Sequence, residues 1–471
     1  MKITVSNKIT IENPENNIRE WCRKNLVLDN PEYHKKERMG FWVGNTPRTL
    51  QLYEKNGDDL ILPFGCLRSV WSLCNDENRA HFGAEIGDLR HVSYHSNINT
   101  YPYQEEAVNR AVAAKNGIVV MPCGAGKTQT ALEIISRIGG KALWLTHTQD
   151  LLNQSMNRAK SVYDLPAEAY GTITGGKINI GSAITFATVQ TMSKIDLKQY
   201  KDCWDIVVVD ECHKAVGSPT KVMQFYLVLS NLCCRYKYGL TATPKRSDGL
   251  ERSMFALLGD IICEVSKEAV ADTTCPVEVR TVETGYTPDL DVALNGDGTI
   301  NYASIVQDMT SNKERFEFVS TVCQNCADDG ATLVLGNRVE YLKALSDTVQ
   351  NSICLSGMGN SKSAKEKRKQ TLKDLNDGNI DAVFATYSLA AEGLDCPNLR
   401  YLVLATPEKD PTRIQQSTGR VGRKSDGKDH GTIIDLLDDF GMFYGWQKKR
   451  KKVYKKLDYS LIDISRHILY N

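Results

Sequence analysis

The chain has 471 residues, of which 41% are hydrophobic and 24% charged, with a net charge of +1. Such a balance excludes a disordered polyelectrolyte, and a length of this order points to about three domains of roughly 150 residues. No apolar run approaches the ~20 residues of a membrane span, and the start MKITVSNKIT lacks the apolar core of a signal peptide, so a protein working in the cytoplasm is expected.

Residues 1–98 contain half of the six tryptophans (Trp21, Trp42, Trp71) and short alternating runs such as TLQLYE and DLILPF. They read as a small α+β accessory module with its own core, expected to bind DNA.

Residues 99–268 alternate apolar, β-rich runs (GIVVMP, KALWLT, AITFAT, DIVVVD, YKYGLTA) with helical stretches, which predicts a parallel sheet covered by helices. Ligands of such sheets bind at the carboxyl ends of the strands, where the loops that follow carry chemistry. After GIVVM comes PCGAGKT. Backbone N–H groups at Gly124, Ala125 and Gly126 suit phosphate oxygens, Lys127 would reach the β and γ phosphates, and Thr128 would ligate Mg²⁺. Met121 stands where the usual first glycine would be. DIVVVD delivers Asp210 to hold the magnesium through its water shell and Glu211 to position and deprotonate the attacking water. Two acids there could alternatively cap the following turn. His213 either couples the phosphate site to Thr241 and Thr243 of TATP or packs as an ordinary buried histidine.

Residues 269–310 are rich in turn formers (TTCPVEV, YTPDLD, NGDGT) and read as a linker with an irregular entry. A second α/β set follows through 440: TLVLGN, DAVFAT, YLVLAT and GTIIDL. In QSTGRVGR, Arg420 and Arg423 flank a glycine turn suited to aim guanidinium groups at one anion, as arginine fingers on a transferring phosphoryl group; the alternative is a solvated pair. The distance in sequence from the phosphate loop implies an ATP site completed by a second domain. Residues 441–471 form a basic extension: KKRKKVYKK after Phe443, Tyr444 and Trp446 fits phosphate contacts, a solvated helix face or a nuclear import signal. The fourteen cysteines suggest buried thiols, and the CxxC of Cys323 and Cys326 reads as core. NGDGTI departs from a calcium loop at Ala293 and Ser304 and reads as a turn.

PCGAGKT, DECH, TATP, AEGLD and QSTGRVGR, in that order, resemble superfamily 2 helicases over roughly residues 99–440, and TATPKRSDGLERSMFALLG resembles the branch of DNA motors typified by phage UvsW and xeroderma pigmentosum B. The resemblance implies two tandem RecA-like α/β domains with ATP and Mg²⁺ between them, behind the small N-terminal α+β domain. It implies an adenine-reading Gln104, with Tyr101 where an arginine is common. It implies closure-sensing Gly393 and Asp395, an ATP-contacting Gln416, and strand-tracking residues Thr146, Thr148, Thr188, Gln190 and Thr386. The activity it implies is ATP-dependent unwinding or remodelling of forked or branched DNA in replication, recombination or repair, including branch migration. Tracking would run 3′ to 5′ along a single strand, by a monomer with no membrane partner, in the host cytoplasm if phage-encoded. An RNA helicase and an ATP-gated nucleic-acid clamp are the alternatives.

Overall fold

The structure, a computed structural model, describes residues 1–464 except 123, 219–221, 247, 267, 358, 360–361, 392–395 and 426. The chain forms two compact units, Met1–Val270 and Ala271–Asn471.

At the start of the first unit, a five-stranded sheet runs in the order Glu54–Asn56, Asp59–Pro63, Lys8–Glu12, Lys2–Val5, Phe82–Ala84. Alternation in KITV and KITIE buries Ile3, Val5, Ile9 and Ile11 on one face with Leu60, Leu62 and Val70. Of the module's tryptophans only Trp21 packs against this core. Trp42 is 87% and Trp71 46% exposed, because β-branched and leucine side chains already fill the narrow space over a small sheet. Gly65 joins this module to the rest of the unit: a Cβ there would lie 2.4 Å from the Gly259 nitrogen and the Phe255 carbonyl oxygen, so backbone packs directly on backbone.

The same unit holds an eight-stranded sheet whose strands begin, across the sheet, at Lys177, Tyr170, Ile184, Ala142, Ile206, Tyr236, Asn116 and Ile261. All neighbours are parallel except the pair at the Lys177 edge. Its central strands are apolar throughout because helices cover both faces. Val119, Ile206 and Val208 point into one core; Ile118, Val120, Val207 and Val209 point into the other.

In the second unit a seven-stranded sheet, parallel at every described pair, follows the order Ser352–Cys354, Ala382–Thr386, Thr332–Gly336, Tyr401–Leu404, Gly431–Leu437, Val277–Glu283, Ser460–Ile464. Two of these strands depart from the sequence reading. Val277–Glu283 lies in the stretch read as linker, its alternation VEVRTVE hidden behind Cys275–Pro276, and Ser460–Ile464 adds the edge strand beside it. KKRKKVYKK lies on the helix Gly441–Lys456, which buries Phe443, Gln447, Arg450, Val453 and Tyr454 and leaves Lys448, Lys449, Lys452, Lys455 and Lys456 exposed. Cys323 and Cys326 sit in an apolar core on the helix Lys313–Asp329.

Candidate nucleotide site and its links to the strand loops

The phosphate loop leaves the carboxyl end of Asn116–Val120, where the Met121 N–H still bonds to the Thr241 carbonyl at 3.0 Å. Gly124 (φ 85°) and Gly126 (φ 76°) take left-handed conformations that let the chain turn and open the helix Lys127–Ile138, with Gly126 as its N-cap. Thr128 follows Lys127 in the first turn, half-buried.

Gln104 braces the loop from behind: its side-chain nitrogen donates to the Ala125 carbonyl at 3.1 Å, while its oxygen accepts from the Tyr101 N–H at 3.0 Å and so caps the start of its own helix. A Cβ on residue 126 would meet that nitrogen at 2.4 Å, a second reason for glycine there. Tyr101 stacks on Tyr103 with centroids 5.6 Å apart, half-exposed at the helix start.

Asp210 is the first residue after the strand Ile206–Val209 and is buried, its N–H bonded to the Leu145 carbonyl at 3.0 Å. Glu211 adopts a left-handed conformation (φ 49°, ψ 50°), a strain of order 1–3 kcal/mol that turns its carboxylate toward His213. Burial, then the Glu211 charge, push the Asp210 carboxyl up, with the Lys127 charge acting against them. Burial also raises Glu211, but the His213 hydrogen bond and Lys127 charge outweigh it and hold that carboxyl down. The donor set fits Mg²⁺: a hard oxygen from a hydroxyl at Thr128, one buried carboxylate at Asp210 that burial and its neighbour leave short of positive charge, and the remainder from phosphate and water. Thr128 and Asp210 are the residues that would hold it.

His213 lies between the acid pair and the TATP segment. Its Nδ1 lies 3.2 Å from Glu211 Oε2 and 3.2 Å from Thr241 Oγ1, and that hydroxyl accepts from the Thr243 N–H at 3.0 Å. Arg246, not singled out from sequence, donates to the His213 carbonyl and pairs with Asp248 through Nε at 2.8 Å. The adjacent KRSD run was the available signal.

The strand-loop residues are mostly engaged internally. Thr146 is fully buried and donates to the Thr148 carbonyl at 3.0 Å; Thr148 caps the helix Gln149–Val162; Thr188 is buried and bonds Thr191 at 3.0 Å. Thr386 accepts from the Leu389 N–H at 3.3 Å. Hydroxyls at strand ends cap the following turns, and Thr146 and Thr188 are engaged in this way here. Gln190 donates to the His147 carbonyl at 2.7 Å. His147 Nε2 in turn lies 2.7 Å from Lys214 Nζ, immediately after DECH. This contact joins the ATP motif to both strand loops, and His147 was legible only as a polar residue inside THTQ.

In the second unit Gln416 is half-buried on the helix Pro411–Thr418, and Arg420 and Arg423 follow on one turn, where the Arg423 N–H bonds to the Arg420 carbonyl at 3.3 Å. Cys275 N–H holds the Gly422 carbonyl at 2.9 Å. Lys428, buried, fastens the turn by donating to the carbonyls of Val421 (2.5 Å), Arg423 (2.9 Å) and Pro397 (3.4 Å). Nothing in KSDGKDH marks that role in sequence. Gly393 and Asp395 lie outside the described residues.

Residues 97–246 match the family model "Type III restriction enzyme, res subunit" and residues 314–425 match "Helicase conserved C-terminal domain". Among curated proteins, L396 of Acanthamoeba polyphaga mimivirus, provisionally named an ATP-dependent RNA helicase, is 26% identical over 73% of this chain and 64% of its own length. The ATP-dependent DNA helicase uvsW of Enterobacteria phage T4 is 23% identical over 92% of this chain and 89% of its own. The DNA 3′-5′ translocase XPB2 of Sulfurisphaera tokodaii is 32% identical over 37% of each chain. The chain thus spans a little under two thirds of the length of L396 and of a second viral helicase relative. Among solved structures, S. cerevisiae Dbp5 bound to RNA and ADP BeF3 aligns at TM-score 0.56 with 14% identity over 79% of this chain and 93% of its own, and the Type ISP enzyme LlaBIII bound to DNA at 0.58 with 18% identity over 84% and 32%. With the res-subunit model on the first unit, the helicase C-terminal model on the second and the motif order intact, the chain resembles superfamily 2 helicases, and among them the UvsW and xeroderma pigmentosum B branch.

Proposed function

We propose that the chain is an ATP-driven DNA translocase that tracks 3′ to 5′ and unwinds or remodels forked or branched DNA. The observation that carries this reading is the connected path Thr243, Thr241, His213, Glu211 on one side of DECH and Lys214, His147, Gln190 on the other: hydrolysis and the strand loops share one short segment. A change at the phosphate end can therefore move the strand loops without a long relay.

In the proposed reaction Thr128 and Asp210 would hold a Mg²⁺, which when bound would neutralise phosphate charge. Lys127 and the loop amides orient the phosphates, and Gln104 keeps the loop in shape. Glu211, kept ionised by His213 and Lys127, takes the proton of the attacking water. Arg420 and Arg423 stabilise charge on the transferring phosphoryl group. Preference for DNA draws on the names of the uvsW and XPB2 relatives; L396 supports RNA as the second reading.

The test is ATPase and strand displacement measured with matched DNA and RNA single strands, blunt duplexes, forks and four-way junctions. Stimulation by DNA and displacement at forks or junctions are expected; stimulation by RNA alone would overturn the substrate, and hydrolysis without displacement would leave a clamp. Lys127→Ala should abolish hydrolysis. Arg423→Ala should keep nucleotide affinity and lose ~10³-fold or more in turnover.

A further inference from the structure

The most exposed large apolar side chain described is Trp42, at 87%, and its neighbours Phe41 and Met39 are 59% and 53% exposed. Three adjacent apolar side chains in water are costly, at ~25 cal/mol per Å² of apolar surface, and mark a contact site when the backbone holds them there. Here it does. The loop 39–47 folds back on the helix Pro31–Arg38: buried Asn30 donates to the Pro47 carbonyl at 2.7 Å, Lys36 to Thr46 Oγ1 at 2.7 Å, the Phe41 N–H to the Lys36 carbonyl at 2.9 Å and the Thr46 N–H to the Val43 carbonyl at 2.9 Å. Gly44 (φ 50°) lies under the indole, for a Cβ there would come within 2.8 Å of the six-membered ring. The ring is thus laid on a glycine and otherwise presented outward, beside a cavity of about 380 Å³ lined by Asn30, Lys36, Trp42, Asn45 and Pro47.

The charges around the rings select the occupant. Glu32 pairs with Lys36 at 3.2 Å and Glu37 contacts His34 at 3.4 Å, so the acids are engaged locally. Lys35, Arg38 and Arg48 are exposed and make no ion pair among the described residues. Flat rings flanked by cations free of carboxylate suit a nucleic-acid strand, whose bases offer π faces and whose phosphates attract the cations.

We propose that the loop 39–47 is a stacking platform for unpaired bases, with Trp42 and Phe41 as the rings and Lys35, Arg38 and Arg48 as phosphate contacts. It rests on the nucleic-acid reading above and adds to it a second grip outside the motor motifs. Because the module packs backbone to backbone on the helix Glu251–Leu258 through Gly65, the platform is carried on the ATP-binding unit itself.

Trp42→Ala removes a side chain that packs on little else and leaves the fold intact. In the full chain it should weaken binding of oligothymidylate (and of oligouridylate, if RNA is the substrate) about 10-fold, while Trp42→Phe keeps most of the affinity. Blunt-duplex binding and basal ATPase should not change. Gly44→Ala should reproduce part of the loss by lifting the ring, and Arg38→Ala should flatten the salt dependence of binding. The proposal is overturned if Trp42→Ala and the double variant Phe41→Ala/Trp42→Ala bind single strands as the wild type does, or if single strand and blunt duplex weaken alike. Unchanged strand binding with altered self-association would assign the patch to protein instead. Wild-type ATPase indifferent to every nucleic acid would sink the functional reading as well, so the two failures are separable.

Discussion

Each α/β unit places an aspartate directly after a central parallel strand, Asp210 after Ile206–Val209 and Asp438 after Gly431–Leu437, yet the two are solvated by the protein in opposite ways. Asp438 receives Arg315 Nε at 2.6 Å and Nη2 at 3.0 Å plus Thr284 Oγ1 at 2.5 Å, with Arg315 and Asp438 wholly buried. Within the last turn of the same strand, Asp435 takes Arg450 Nη2 at 2.8 Å and Tyr454 OH at 3.0 Å. Asp210 has an anionic neighbour instead, and its carboxyl is pushed up by burial and by Glu211. A carboxylate at a strand end is therefore not by itself catalytic. What neutralises it decides: an arginine in the chain makes it structural, and the lack of one leaves it for a cation and phosphate.

The sharpest break of that comparison is a double dissociation. Glu211→Gln should lower turnover ~10²- to 10⁴-fold and leave the denaturation midpoint unchanged or slightly raised, since a like charge beside Asp210 is gone. Asp438→Ala should cost about 3–5 kcal/mol in the unfolding of the second unit, because Arg315 is left buried without its counter-charge. Urea titration beside single-turnover ATPase separates the two. A stability loss in Glu211→Gln equal to that of Asp438→Ala would erase the distinction.

Much of the first site is legible in sequence because each part carries a local signature: an apolar strand, a glycine turn and a lysine for the loop, two acids ending another strand. The same is true of parallel sheets, which announce themselves as repeated short apolar runs. Long-range partners have no such signature. Arg315 pairs with a residue 123 positions away and Arg450 was indistinguishable from the lysines around it until the helix Gly441–Lys456 showed which face is buried. Thr146 and Thr188 show what residue type alone leaves out: both are buried, one hydroxyl bonded to the Thr148 carbonyl and the other to the Thr191 hydroxyl. The core expected for the N-terminal module is there, and it is built by aliphatic alternation more than by its tryptophans.

Lys428 tests whether the second unit also uses its buried cations to position chemistry. Burial first pushes its ammonium group down from the usual lysine range, and three carbonyls, two of them on the arginine turn, hold it. Lys428→Met should loosen that turn at a cost of about 2 kcal/mol, since hydrogen bonds to a charged group are lost. Turnover should fall by roughly 10-fold or more with nucleotide affinity retained, which stopped-flow hydrolysis against equilibrium nucleotide binding resolves. Loss of affinity and turnover together would mean that Lys428 supports the fold alone.

The smallest effect sharpens the first unit's side of the contrast, where the Lys214 ammonium lies against the buried His147 ring. Burial and then the Lys214 charge push His147 down to about 4 from an ordinary 6.5, so the ring is neutral in the folded protein at pH 7. Between those values the unfolded chain binds a proton that the folded chain excludes, and stability must fall as pH drops from 6.5 to 4; below 4 the loss is complete. Discounted for partial exposure, the penalty is roughly 1–2 kcal/mol. His147→Asn should therefore unfold with a shallower loss of stability between pH 6.5 and 4.5 than the wild type, and should uncouple ATPase stimulation by nucleic acid while sparing basal turnover, because the link from Lys214 to Gln190 is cut. Parallel pH slopes in the two proteins would show that burial beside Lys214 does not depress His147, and would remove the reason to place that ring, neutral, on the path from DECH to the strand loops.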